Sequence, residues 1–369
     1  MPDRLEELRT ALGPGGPVRF ARAPGRVNLI GEHTDYQEGF CLPMAIDLDV
    51  IVGWRARDDD RVVLRSLEFV EPATFAPGDP PPTLEPPWAR PAAGVARVLH
   101  DLGRRPVGID AVLSSTVPVG GGLSSSAALE VAMALALAAA ADFDIGGDEL
   151  ALAAQRAEHL ATGVPCGVMD QMSSVHGRAG HAVLLDCRTL ATTAVPMPAG
   201  IAVVVVHCGV PRTLAGSEYA QRRSAVEAAG ANLGLASLRD ASPEMVADNP
   251  FARHVVGENR RVLMFVAALR RGRYNELGRL MLESHASLRD DFDVSTPALD
   301  ALVDALVATG AIGARLTGAG FGGCAVALCH ASDARSVADD ALARYRSETG
   351  NTPVPFIVCA SDGARVLEA

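Results

Sequence analysis

Apolar and polar positions follow several different rhythms along this chain. In the opening MPDRLEELRTAL, leucines recur at helical spacing among acids and arginines, so a first amphipathic helix is expected. VRFARAPGRVNLIG (18–31) reads as a strand, a Pro-Gly turn and a second strand. DLDVIVGWRARDDDRVVLRSL (47–67) adds two apolar strands broken by an acidic turn. The stretch EPATFAPGDPPPTLEPPWARP (71–91) holds too many prolines for either regular element and is expected to be an exposed loop. Helical spacing resumes at AAGVARVLHDL (92–102), and GIDAVLSSTVP (108–118) is strand-like.

VGGGLSSSAALEVAMALALAAAA (119–141) is a glycine loop running into an alanine-rich helix, and DELALAAQRAEHLA (148–161) is a further helix. HAVLLDC (181–187) and IAVVVVHC (201–208) are short apolar runs of strand length. The second half offers helices near 217–230, 259–271, 273–288 and 297–308. RLTGAGFGGCAVALC (315–329) is a glycine loop feeding a strand, and VPFIVCAS (354–361) is a last strand. Strands and helices mix without the regular alternation of a barrel or doubly wound sheet, which predicts an α+β fold. At 369 residues the chain exceeds what one core usually serves, so two domains are expected, 1–190 and 191–369, meeting between HAVLLDC and IAVVVVHC.

Composition narrows the function. Hydrophobic residues make up 49% and charged residues 21%, a globular mix, and the net charge of −11 argues against a basic footprint for nucleic acid or an anionic membrane. The longest greasy run, VAMALALAAAA (131–141), is too short for a membrane span, and the N-terminus lacks a signal-peptide core. Seven scattered cysteines without a CxxC pair argue against a structural zinc site and suit reduced thiols, hence a cytoplasmic protein. Every cationic side chain is arginine. Without lysine there is no Walker A lysine, no kinase strand lysine and no Schiff base, so phosphates would have to be met by backbone amides and arginine.

Three segments carry candidate chemistry. In GRVNLIGEHTDY (25–36) a strand opens through a glycine onto Glu32, His33 and Asp35. These lack the i, i+4 histidine pairing of zinc hydrolases, whereas carboxylates that bridge vicinal hydroxyls fit a sugar. In PVGGGLSSSAALE (118–130), Gly120, Gly121 and Gly122 allow close backbone approach, and after Leu123 the serines Ser124, Ser125 and Ser126 can cap the helix whose outward amides attract anions. GAGFGGC (318–324) is a glycine loop that alone shows no more than a tight turn. Asp170, in CGVMDQ, is a carboxylate among small and apolar residues, either a helix cap or a partner for Arg26.

Taken together, APGRVNLIGEHTDYQEGFCLPMAID (23–47), PVGGGLSSSAALEVA, CGVMDQ, RTLAGSEYAQRR (212–223), ESHASLRDDFDVSTPALD (283–300) and RLTGAGFGGCAVAL resemble, in order, the galactokinases of the GHMP small-molecule kinase family. The resemblance implies a two-domain GHMP kinase fold, with an N-terminal domain like ribosomal protein S5 domain 2 and a ferredoxin-like C-terminal domain. It also implies transfer of the ATP γ-phosphate to the C1 hydroxyl of α-D-galactose, with Mg2+ as metal. By resemblance, Asp170 and Arg26 are catalytic, while Glu32, His33, Asp35, Gly167 and Tyr219 contact the sugar with Asp170. Trp88 lies near the adenine, residues 120–126 hold phosphate, and Ser126 and Glu158 hold the metal. The family often has Trp-Ala-Asn-Tyr where this chain has WARP, so Pro91 departs from the pattern of the base pocket. The expected partners are a small sugar and ATP, with no nucleic acid or membrane, for a monomer or weak homo-oligomer. The alternatives are a kinase for galacturonate, N-acetylgalactosamine or arabinose, and a non-catalytic galactose sensor; known sensor relatives have a shortened phosphate loop, and GLSSSAALE is complete here.

Overall fold

The computed structural model of the chain describes residues 2–118, 120–210 and 215–367. Helix α1 (Pro2–Leu12) leads into β1 (Arg19–Asn28), β2 (Phe40–Cys41), β3 (Pro43–Ala56), β4 (Val62–Ser66) and β5 (Ala73–Phe75). Then come α2 (Arg90–Asp101), β6 (Ile109–Ser115), α3 (Ser125–Ala140), α4 (Gly147–Thr162) and α5 (Met169–His176). Strands β7 (His181–Asp186), β8 (Ala191–Pro196) and β9 (Ile201–His207) precede four helices, α6 (Ala215–Asn232), α7 (Pro250–Arg270), α8 (Tyr274–Asp290) and α9 (Pro297–Ala308). The chain closes with β10 (Gly313–Thr317), β11 (Cys324–His330), α10 (Ala334–Thr349), β12 (Val354–Val358) and β13 (Arg365–Leu367).

These strands form a six-stranded sheet of order β13-β1-β3-β6-β4-β5, a four-stranded sheet of order β10-β11-β9-β12, and a three-stranded sheet of order β2-β7-β8. One core lies between the first sheet and α2, α3 and α4, with Trp54, Phe75 and Leu137 fully enclosed. A second lies between the four-stranded sheet and α9 and α10, around Phe292, Leu316 and Tyr345. The third joins the two halves: Val27, Leu29 and Met44 from the β1–β3 region meet Val203 and Val205 of β9, Phe265 of α7 and Leu280 of α8. Its two sides come from opposite halves of the sequence. No helix among the described residues is long and apolar enough to cross a membrane.

Several sequence expectations change. The expected Pro24-Gly25 turn is a single strand, β1, with a bulge between Pro24 and Arg26. Gly25 fits because an added Cβ would sit 2.6 Å from the Leu123 carbonyl oxygen, so the strand bends toward the glycine-serine loop before α3 instead of reversing. Within the expected proline loop, Ala73 and Phe75 are buried and pair as an edge strand with β4. Helix α7 begins at Pro250, nine residues earlier than expected, where Asn249 accepts a bond from the Ala252 amide. Helices α5 and α10 and strand β8 have no counterpart in the pattern reading. Residue 190, the expected division, lies in the turn between β7 and β8, and β13 returns to pair with β1 in the first sheet.

Candidate active site

A cavity of about 430 Å³ opens where the loop after β1, the N-terminus of α3, the residues before α5, helix α6 and the third glycine loop meet. The glycine-serine loop before α3, the expected phosphate loop, is oriented by its own carbonyls. Those of Gly121, Gly122 and Leu123 accept, in turn, the Cys324 thiol, Nη1 of Arg26 at 2.7 Å and the Arg26 amide at 3.1 Å. The serines do not cap α3 as expected: Ser124, at φ 59°, is the N-cap residue, yet its hydroxyl makes no capping bond. Among the described residues no side chain caps the first-turn amides of the helix, an arrangement that suits an anion. Gly120, Gly122 and Ser124 to Ser126 line the cavity, while Leu123 is buried behind the loop.

Asp170 lies in the first turn of α5, a helix that also packs on β1, which brings residues 144 apart in sequence into contact. Nε of Arg26 donates to Asp170 Oδ1 at 2.8 Å and Nη2 lies 2.7 Å from the same oxygen. The freed Ser124 hydroxyl donates to Oδ2 at 2.5 Å. Arg26 is buried; burial works against its charge, but Asp170 and Glu32 outweigh it and hold its pKa above the ordinary value. The Asp170 side chain stays one-third exposed, at 32%, and is open to the cavity.

On the other side of the phosphate loop, the Ser126 hydroxyl donates to Glu158 Oε1 at 3.2 Å. Gln171, next to Asp170, places its amide between Glu130 Oε2 at 3.1 Å and Glu158 Oε2 at 3.4 Å. Burial raises the pKa of Glu158, and burial together with the facing Glu158 carboxyl raises that of Glu130 well above the ordinary carboxylate range, so the two carboxyls titrate as a pair.

The sugar-signature loop is fastened from the opposite half of the chain. Glu32 accepts Asn28 Nδ2 at 2.5 Å and the Gly318 amide at 2.7 Å. Imidazole Nε2 of His33 lies 3.2 Å from the Ala319 carbonyl and Nδ1 lies 3.1 Å from the Tyr36 hydroxyl. Burial drops the His33 pKa to about 3, so the ring is neutral at pH 7. Asp35 is raised to about 6, first by burial and then by the Asp170 charge. Gly167 has no room for a side chain, since a Cβ there would lie 1.7 Å from Asp35 Oδ2. Tyr219 of α6 sets its ring 5.6 Å from that of His33. Residues 212–214 of the RTLAGSEYAQRR match lie outside the described residues.

Arg26, Glu32, His33, Asp35, Gly167, Asp170 and Tyr219 thus share one cavity with the phosphate-loop serines and Glu158. Trp88 is not part of its lining. It stacks on Phe69 with ring centroids 5.4 Å apart and donates to the Glu71 carbonyl. Thr162, Val164, Cys166, Met169 and Ala319 also line the cavity without having been singled out. Cys166 and Met169 flank residues that carried a signal, but Thr162 ends α4 and Val164 lies in the link after it, and only the fold brings both to the cavity.

Residues 10–56 match the galactokinase galactose-binding signature, 91–178 the GHMP kinases N terminal domain and 265–347 the GHMP kinases C terminal domain. The chain is 45% identical over 368 residues to the galactokinase of Roseiflexus sp. (strain RS-1), covering 95% of this chain and 94% of that one. It is 44% identical over 370 residues to that of Chloroflexus aggregans (strain MD-66 / DSM 9485), covering 96% and 94%. The Lactococcus lactis galactokinase solved in complex with galactose superposes with a TM-score of 0.93 at 30% identity, over 99% of both chains. Methanococcus jannaschii mevalonate kinase shares the fold, with a TM-score of 0.70 at 18% identity over 95% of this chain and 100% of that one. A glycine-serine loop without lysine, a sugar signature fastened to the opposite half and full-length identity at this level lead to one conclusion: the chain belongs to the galactokinases of the GHMP kinase family.

Proposed function

We propose that this protein transfers the γ-phosphate of ATP to the C1 hydroxyl of α-D-galactose, giving galactose 1-phosphate and ADP. One observation carries the reading: Asp170, gripped by Arg26 and Ser124, faces a cavity shared by the sugar-signature carboxyls and the uncapped start of α3. Phosphoryl transfer asks for positioning and charge compensation more than for covalent help. Asp170 takes the proton of the attacking hydroxyl, Arg26 offsets charge at the transferring group, and the amides around 120–126 hold phosphate oxygens. Glu32 and Asp35 accept sugar hydroxyls, with the neutral His33 ring, the Gly167 backbone and Tyr219 completing that side. The stacked Trp88 is the aromatic surface assigned to the adenine.

Ser126 and Glu158 present a hydroxyl and a carboxylate, hard oxygen donors of the kind Mg2+ prefers when most of its shell comes from phosphate and water. When bound there, the ion would neutralise phosphate charge. The protein is taken to act as a cytoplasmic monomer or weak homo-oligomer. ADP release measured with ATP, Mg2+ and a panel of galactose, galacturonate, N-acetylgalactosamine and arabinose tests the function. Galactose should give the highest kcat/KM; a different sugar in first place, or no ADP release with any of them, overturns it.

A further inference from the structure

Beneath the sugar-signature loop lies a buried charge cluster that the phosphoryl chemistry does not use. Arg315, on β10, is fully buried. Its Nη1 donates to the Asn28 carbonyl at 3.3 Å, while Nη2 lies 3.5 Å from Glu32 Oε1 and 4.0 Å from Glu258 Oε1. We infer that Arg315 is a positioning residue for galactose: its guanidinium supplies the positive charge that keeps Glu32 facing the cavity as an acceptor for sugar hydroxyls. The inference rests on the proposed sugar contact of Glu32.

The alternative owner of the Arg315 charge is Glu258, and its contacts rule that out as the main role. Glu258 already accepts Arg261 Nε at 2.6 Å, the Ser284 hydroxyl at 2.7 Å and the Gly31 amide at 3.0 Å. Burial would raise its pKa, yet Arg261 first and Arg315 second bring it down to about 2. Glu32 is less well supplied. Among the described residues its hydrogen-bond donors, the Asn28 amide and the Gly318 N–H, are neutral, and Arg26, whose charge also acts on Glu32, makes its ion pair with Asp170, which leaves Arg315 as the cation paired with Glu32. With Arg315 removed, the buried Glu32 carboxylate would lose the cation that lies 3.5 Å from it, a costly state that turning away from the cavity would relieve.

Packing alone gives no reason for an arginine here. Among the described residues, Nε and Nη2 of Arg315 make no hydrogen bond, and unpaired buried donors cost free energy that an apolar side chain would not. What the guanidinium contributes is charge, delivered from the four-stranded sheet to a carboxylate on a loop that follows the first sheet.

A double-mutant cycle tests this, using wild type, Arg315→Met, Glu32→Gln and the double variant, with KM for galactose and for ATP, kcat and thermal unfolding measured for each. Arg315→Met should raise the galactose KM by about 10- to 100-fold, as for loss of a charged partner, and leave the ATP KM within about twofold. In the Glu32→Gln background the same change should alter the galactose KM by less than about threefold, because its target is gone. An unchanged galactose KM in Arg315→Met, or an equal multiplicative loss in both backgrounds, overturns the inference and leaves the proposed function standing. A Glu32→Gln variant with wild-type galactose KM overturns both this inference and the Glu32 contact. Glu258→Gln should lower the melting temperature and hold the galactose KM within about threefold if the effect runs through Glu32 alone; a rise matching that of Arg315→Met overturns it. Should Arg315→Met fail to fold, Arg315→Lys serves instead: an ammonium lacks the guanidinium's fork, so a severalfold rise in galactose KM is expected, and an unchanged value overturns the inference.

Discussion

Asp170 receives Arg26 and Ser124 together, so its carboxylate is oriented before any substrate arrives. Asp170→Asn keeps the shape and loses the proton acceptor. Turnover should fall by about 10²–10⁴ while galactose still binds in calorimetry; near wild-type turnover in a folded sample refutes the general-base role. Asp35 carries a pH dependence. Its pKa rises from 3.8 to about 6, chiefly through burial, so the folded protein holds a proton between those values that the unfolded chain releases. Stability owed to this group is therefore lost as pH rises through that window, and the penalty is full above about 6. Asp35→Asn should raise the melting temperature at pH 8 while raising the galactose KM by about tenfold or more. In wild type the galactose KM should climb as pH falls through about 6; flat profiles of KM and melting temperature across that range would contradict the assignment.

Among the elements, the junction of β1 with the glycine-serine loop fixes where Arg26 sits relative to the start of α3. The bulge at Gly25 lets the Arg26 amide reach the Leu123 carbonyl while the Arg26 side chain reaches the Gly122 carbonyl. A methyl at Gly25 would meet backbone, which has little freedom to give way. Gly25→Ala should cost about 1–3 kcal/mol in chemical denaturation through overpacking and raise the ATP KM more than the galactose KM. Equal stability with an unchanged ATP KM would show that the loop accommodates it. The glycine-serine run, the strand before Glu32 and the α3 helix were legible because spacing and turn chemistry are local. The bulge was not, because Pro-Gly is compatible with a turn and only the approach of the Leu123 carbonyl selects a strand. Helix α5 was hidden for a related reason: it is eight residues long and its buried face is defined by β1, α3 and α4.

For the molecule as a whole, the third core decides how the two halves behave. Phe265 of α7 is fully buried there between the β1–β3 region and β9. Phe265→Ala should cost about 3–5 kcal/mol, and calorimetry should still show one transition because the core belongs to both halves. Two resolved transitions in wild type would mean that the halves unfold independently. The same joint explains why Glu32 and His33 take their fastenings from Gly318 and Ala319, residues about 286 positions away.

By itself the sequence determined the α+β class, the order of most elements, the family, the absence of any lysine to meet phosphate, and most of the residues that the fold gathers around one cavity. Each of these follows from local periodicity, from composition or from motif order. Tertiary structure alone decided that the Ser124 hydroxyl serves Asp170 instead of capping α3, that Asp35 and Glu130 hold protons more tightly than free carboxyls, and that Arg315 lies beside Glu32. These depend on burial and on distances between segments far apart in the chain, and no local pattern of side chains encodes such distances.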